Sequence, residues 1–214
     1  MRALLQAGAL GMALAIIVGC TRAERPVNAG GSVAQADVVE LKVESVSSGP
    51  EGLAVSYVVH NGSPREVLLV DGLPEWGPTG FVGLAPERAY VELSGDGAVL
   101  LRALVPVPED FEVEMPEVPN VSPLAPGATV SSRLVVPLPL RTSLPYSQGP
   151  ETTLELSAVR ELRLRVGYLP DTSEVRLHGT TESGGRTFRS AEYGQVVTRQ
   201  RLLDSGPLSL DGVK

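Results

Sequence analysis

The chain has 214 residues and a formal net charge of −7, and its basic residues are scattered singly with no Lys/Arg block. An acidic surface is repelled by phosphate backbones and anionic lipid headgroups, so nucleic acid is excluded as a partner and surface charge is excluded as a membrane anchor. Aromatic residues make up only 4% of the chain, while Gly (23) and Pro (18) are abundant, a balance that points to a β protein with many turns and long connections.

The N-terminus reads MRALLQAGALGMALAIIVGC. Arg2 and the terminal amine give a positive start, and residues 7–18 form an apolar run broken only by Gly8 and Gly11. A bilayer core needs about 20 apolar residues. The run is too short for that and fits the central region of a secretory signal peptide. After Cys20 the sequence TRAERP ends the hydrophobicity abruptly.

Ile17-Val18-Gly19-Cys20 resembles a bacterial lipobox. The resemblance implies cleavage between Gly19 and Cys20, a diacylglyceryl thioether on Cys20, and acylation of the new amine. Each buried methylene then adds about 0.8 kcal/mol of anchoring, so that several acyl chains hold where one is marginal. By the same resemblance Thr21, which is not Asp, implies an outer-membrane lipoprotein facing the periplasm, or the cell surface. Cys20 is the only cysteine. Once it carries lipid no disulfide can form, and the fold must rest on its own core. The expected organisation is a signal peptide over residues 1–19, a lipid-anchored flexible linker over 20–36 with a reach of roughly 20–25 Å, and one β-sandwich domain over 37–214.

In chain order, VVELKVESV (38–46) sets Val39, Leu41 and Val43 against Glu40, Lys42 and Glu44, the period of a half-buried strand. After the turn SSGPEG, residues 53–61 repeat the pattern with Leu53, Val55, Tyr57 and Val59 in phase. NGSP turns the chain, and the continuous run at 67–70 suits a strand covered on both faces. Residues 53–71 resemble the early hairpin of bacterial Ig-like sandwich domains. A loop is expected at 71–80. Alternation at 89–94, the Asp96-Gly97 turn signal and the returning partner strand 99–105 predict a second hairpin. The segment 106–127 is proline-rich and acidic. Within it Phe111, Val113 and Met115 alternate with Glu112 and Glu114, the pattern of an edge strand with a charged outer face. Residues 129–136 read as a strand, 141–152 as irregular, and 154–169 as a strand with a helix from Glu151 as its rival. Strands are expected at 174–178 and 194–203, and a mobile loop at 180–185. Nine or ten such strands predict an all-β, antiparallel, Ig-like sandwich. They are too short and irregular for a membrane barrel.

No chemical constellation emerges. His60 and His178 are the only histidines and belong to no HExxH or HxH pattern, so they read as surface residues and no metal is expected. Ser94-Gly95-Asp96-Gly97 reads as a hairpin turn. GxSxG, SxxK, GxGxxG and GxxxxGK[ST] patterns are absent. The carboxylate pairs Glu109-Asp110 and Glu112/Glu114 read as a solvated acidic edge, and no cofactor is expected. Trp76, the only tryptophan, lies between Pro74 and Pro78. It is the candidate partner contact, either an exposed interface anchor or a plug for one end of the sandwich.

The expected function is a non-enzymatic accessory lipoprotein, offering loops or an edge strand to an envelope protein. The alternative is a binder of small ligands or cell-wall glycan. That requires a concave pocket uniting Trp76 with Tyr90, Tyr146 or Tyr168. A hydrolase requires His60 or His178 beside a serine and a carboxylate.

Overall fold

The computed structural model describes residues 38–147 and 150–213; the signal segment, Cys20 and the linker lie outside them. Strands β1 (Val39–Gly49) and β2 (Gly52–Asn61) pair antiparallel, with Leu41 opposite Val59 and Val43 opposite Tyr57. A bulge after Val43 shifts the phase by one residue, which returns Val46 to the core side. Gly52 takes φ +128° at the turn, where a Cβ would stand 2.1 Å from the Val136 carbonyl oxygen; only glycine fits. The Asn61 amide then fastens the next turn. It donates to the carbonyls of Arg65 and Leu124 and accepts from the N–H and hydroxyl of Ser63.

β3 (Val67–Gly72) is buried at every position, as its continuous apolar run implies. The loop expected over 71–80 is instead half of a hairpin, β4 (Pro74–Gly77) and β5 (Gly80–Leu84). The Pro and Gly density hid it, but the cross-strand contact of Trp76 with Phe81 supplies the pairing. β6 (Tyr90–Ser94) and β7 (Gly97–Arg102) form the expected hairpin.

Residues 111–115 form no strand. They lie in a stretch holding Pro106, Pro108, Pro116 and Pro119, which removes backbone donors and fixes φ. The strand of this region is β8 (Asn120–Leu124), followed by β9 (Thr129–Val136). The short pair β10 (Leu140–Arg141) and β11 (Thr153–Leu154) closes the irregular segment between them. The strand expected over 154–169 is interrupted by a 3₁₀ turn at Leu156–Ala158, held by bonds from Ala158 and Val159 back to Glu155 and Leu156. It resumes as β12 (Glu161–Leu169).

Two C-terminal expectations are also corrected. β13 (Leu177–Ser183) runs through most of the stretch expected as a loop, and β14 (Arg186–Ala191) follows. Only Gly184-Gly185 turn, at φ +57° and +72°, the signature of a tight hairpin turn. The strand expected over 194–203 is a helix, α1 (Tyr193–Arg199), and then β15 (Arg201–Asp204). Its local composition favours neither state. Buried Val196 and the Gln200 side chain, bonded to both the N–H (2.9 Å) and the C=O (3.0 Å) of Leu104, fix the break.

The strands form an all-β sandwich. A three-stranded sheet, β1-β2-β9, faces an eight-stranded one ordered β13-β14-β8-β3-β12-β7-β6, with β15 against β12. Every ladder is antiparallel except β7 on β12. β7 follows residues 161–166 of β12 and β3 follows 167–169, both on the side opposite β15. β12 is therefore the spine of the large sheet. Leu53 and Val55 of β2, Leu134 of β9, Leu100 of β7 and Leu162 and Leu164 of β12 fill the space between the sheets. Leu68 and Val70 point to the other face of β3, where Val121, Leu169 and Val196 cover them.

A polar network occupies the junction where β7 ends and β3 takes over along β12. Arg102 is 0% exposed and donates to the Tyr57 hydroxyl (2.9 Å) and the Asp71 carbonyl (2.5 Å). The Asp71 carboxylate accepts from Ser122 (3.0 Å) and Arg186 (2.6 Å), and Arg186 also reaches the Ser122 hydroxyl. Burial pushes the Tyr57 hydroxyl pKa up. The network ties the small sheet, through Tyr57, to the large one.

Candidate functional site: an aromatic cleft

Five separate stretches of chain converge on one concavity of about 630 Å³. The β4–β5 hairpin contributes Pro74, Trp76 and Phe81, and the entry to β6 contributes Arg88 and Tyr90. Met115, Pro116, Glu117 and Val118 come from the proline-rich segment, and Ser143, Leu144, Pro145 and Tyr146 from the segment after β10. Asn120, Thr181 and Ser190 of the large sheet close one side.

Sequence chemistry sets the wall geometry. Trp76 (60% exposed) and Phe81 (53%) stand at the mouth, their rings edge to face at 5.9 Å. Tyr90 is buried, and its hydroxyl donates to Glu117 Oε2 at 2.8 Å. The Glu117 N–H donates to the Tyr146 hydroxyl at 2.7 Å. Tyr146 has φ +63°, a left-handed backbone that no other non-glycine residue takes among the described residues. Such strain collects at ligand sites. The Arg88 guanidinium lies over the Tyr90 ring at 5.6 Å and donates to the Pro74 carbonyl at 3.0 Å.

Burial raises the Glu117 carboxyl pKa, although the bond from Tyr90 and the Arg88 charge pull it partly back. Burial and the Glu117 charge likewise raise the Tyr90 pKa. An acid with a raised folded-state pKa stabilises the fold below its unfolded pKa, and that stability is lost as pH rises through the folded value. Glu117→Gln should therefore melt higher than the parent at about pH 7, with the gain vanishing below about pH 4, where both side chains are neutral. Thermal melts across that range check it.

The sequence-named residues distribute as follows. Trp76 is exposed at the cleft mouth and does not plug the sandwich. Tyr90 and Tyr146 join it, whereas Tyr168 packs on the core from β12. His60 Nδ1 lies 3.0 Å from the Thr129 hydroxyl, and His178 Nε2 lies 3.7 Å from Glu192. Neither is hydrogen-bonded to a serine among the described residues; His178 stands opposite Ser190 in the β13–β14 ladder, but the Ser190 hydroxyl donates to Asn120. Glu109, Asp110, Glu112 and Glu114 are all exposed. Arg88 and Glu117 were not singled out from sequence. The one local signal for Glu117 is its setting, MPEVP, an acid between prolines and apolar neighbours, unlike Glu112 and Glu114.

No helix among the described residues is long and apolar enough to cross a membrane. No protein-family model, curated protein or solved structure matches the chain.

Proposed function

We propose that this chain is a non-enzymatic, lipid-anchored envelope protein of the outer membrane, and that its sandwich domain binds a small ligand in the aromatic cleft. Residues 17–20 support the anchor, and the cleft uniting Trp76, Tyr90 and Tyr146 carries the binding reading. Its volume lies in the ordinary range for organic ligands. The Ig-like kinship expected from residues 53–71 belongs to the same proposal, supported by the Asn61-fastened turn between β2 and β3.

Partner recognition by strand addition has less support, because three sheet edges are blunted. β13 bulges between His178 and Thr181. At β6, Val91 exchanges bonds of 2.9 Å with Ser143. On β9, the Val135 N–H is taken by Glu87 at 2.8 Å.

Trp76 is the only tryptophan, so intrinsic fluorescence reports on the cleft mouth. Titration with the uncharged dye Nile red should quench Trp76 emission and enhance dye emission. Trp76→Ala should weaken dye binding while changing stability by less than about 0.5 kcal/mol, as expected of an exposed site. Dye binding unaffected by the substitution would overturn the assignment. The anchor is checked by mass: native material should begin at Cys20 and carry fatty acyl groups, and an unmodified thiol on an intact chain would refute it.

A further inference from the structure

We infer that the cleft takes a single apolar chain ending in a cationic head group. The inference rests on the cleft being a binding site, and it goes further by naming the ligand's chemistry. The polar side chains of the wall are largely spent on one another. Tyr90 is bonded to Glu117 (2.8 Å), and Asn120 to the Val118 carbonyl (3.0 Å) and Ser190 (3.2 Å). The Ser143 hydroxyl accepts from the Val91 N–H (2.9 Å), and Arg88 is held by the Pro74 carbonyl.

A hydroxyl-rich glycan leaves its own donors and acceptors unpaired in such a wall, which is costly. What the wall leaves open is mostly apolar, Trp76, Phe81, Met115, Val118 and Leu144, with the second Glu117 oxygen and the Thr181 hydroxyl as polar exceptions. Met115 is 73% exposed and Val118 45%, so water leaves both when a chain enters.

The head group follows from charge. The segment 106–119 holds Glu109, Asp110, Glu112, Glu114 and Glu117 and no Lys or Arg, and Glu75 adjoins Trp76. The one cation of the lining, Arg88, is stacked on Tyr90. Among the described residues only one oxygen of Glu117, Oε2, is hydrogen-bonded. Of these carboxylates Glu117 alone lines the cleft; a cation there gains from it and from the aromatic faces, and the surrounding acidic segment attracts a cation and repels an anion at longer range.

The test titrates the full, unlipidated Cys20→Ser chain, below micellar concentrations, and follows Trp76 emission. The probes are n-alkyltrimethylammonium ions of increasing length, the matching alkyl sulfates, and a chito-oligosaccharide. Affinity for the ammonium series should rise about fourfold per methylene until the cleft is full. The matched sulfates should bind at least about tenfold more weakly at low salt, and the gap should close as salt is added. Met115→Lys, at an exposed wall position, should weaken ammonium binding with an unchanged circular dichroism spectrum. Equal affinity for sulfates overturns the cationic head. Oligosaccharide binding with a flat alkyl series overturns the ligand class and leaves the cleft as a binding site. Alkyl binding indifferent to Met115→Lys overturns the location. Silence of Trp76 toward all three probes overturns both this inference and the cleft reading.

Discussion

Asp71→Ala should remove about 3–5 kcal/mol of folding stability, the penalty for taking one partner out of a buried charge network. Asp71 is 1% exposed, and its carboxylate binds Arg186 at 2.6 Å and Ser122 at 3.0 Å. Its carbonyl holds Arg102, whose guanidinium is wholly buried and whose Nε has no partner. Without the carboxylate, two guanidinium groups share the junction with no negative charge to offset them. Urea unfolding should show a lower midpoint at unchanged slope. Arg102→Met should cost less, because it removes a buried charge and its orphaned Nε together and leaves an apolar stem of similar length. A loss below about 1 kcal/mol for Asp71→Ala would show that water, and not Asp71, satisfies the two arginines. The effect bears on function. Asp71 and Gly72 end β3 and lead directly into β4, which carries Trp76. Loosening this junction loosens the wall of the cleft.

What the sequence made legible was the chemistry that is local. The alternation of Leu53, Val55, Tyr57 and Val59 needs only the pleat to put them on one face. Asp96-Gly97 needs only its own φ preferences to mark a turn. The run Val67 to Val70 announced a strand with two covers, and Val55 with Leu134 on one side and Val196 on the other are those covers. The misses have distant causes. β8 was hidden by Pro123, which a central strand normally forbids. It is tolerated because the ladder to β14 involves only Asn120 and Val121, so Pro123 lies beyond its reach. The helix α1 depends on Gln200 meeting Leu104, residues far apart in the chain. Trp76, Tyr90 and Tyr146 were each visible as aromatics, but their convergence is a property of the topology. The raised pKa of Glu117 comes from its burial, which the fold creates by closing distant segments around it, while Tyr90 and Arg88 reach it across the fold and only moderate the rise.

Phe188→Ala should cost about 3–5 kcal/mol, the usual range for deleting a fully buried ring. Phe188 is 0% exposed, and it fits because position 72 is glycine: a Cβ on Gly72 would stand 2.8 Å from the Phe188 ring. Gly72 has no side chain with which to fill the vacated volume. The ring has a second role. The Arg186 guanidinium lies over it at 5.0 Å and from there reaches Asp71, so truncation removes the platform that aims Arg186 at its partner. Phe188→Leu keeps most of the volume and loses only the aromatic face; the difference between the two variants separates packing from cation–π attraction, which contributes about 0.5–2 kcal/mol. Because Phe188 and Asp71 act through the same guanidinium, their losses should not add. A double-mutant cycle of Phe188→Ala with Asp71→Ala should give a coupling of at least about 0.5 kcal/mol. Strict additivity would mean that Arg186 finds Asp71 without help from the ring, and that the network and the β14 core are separate structures.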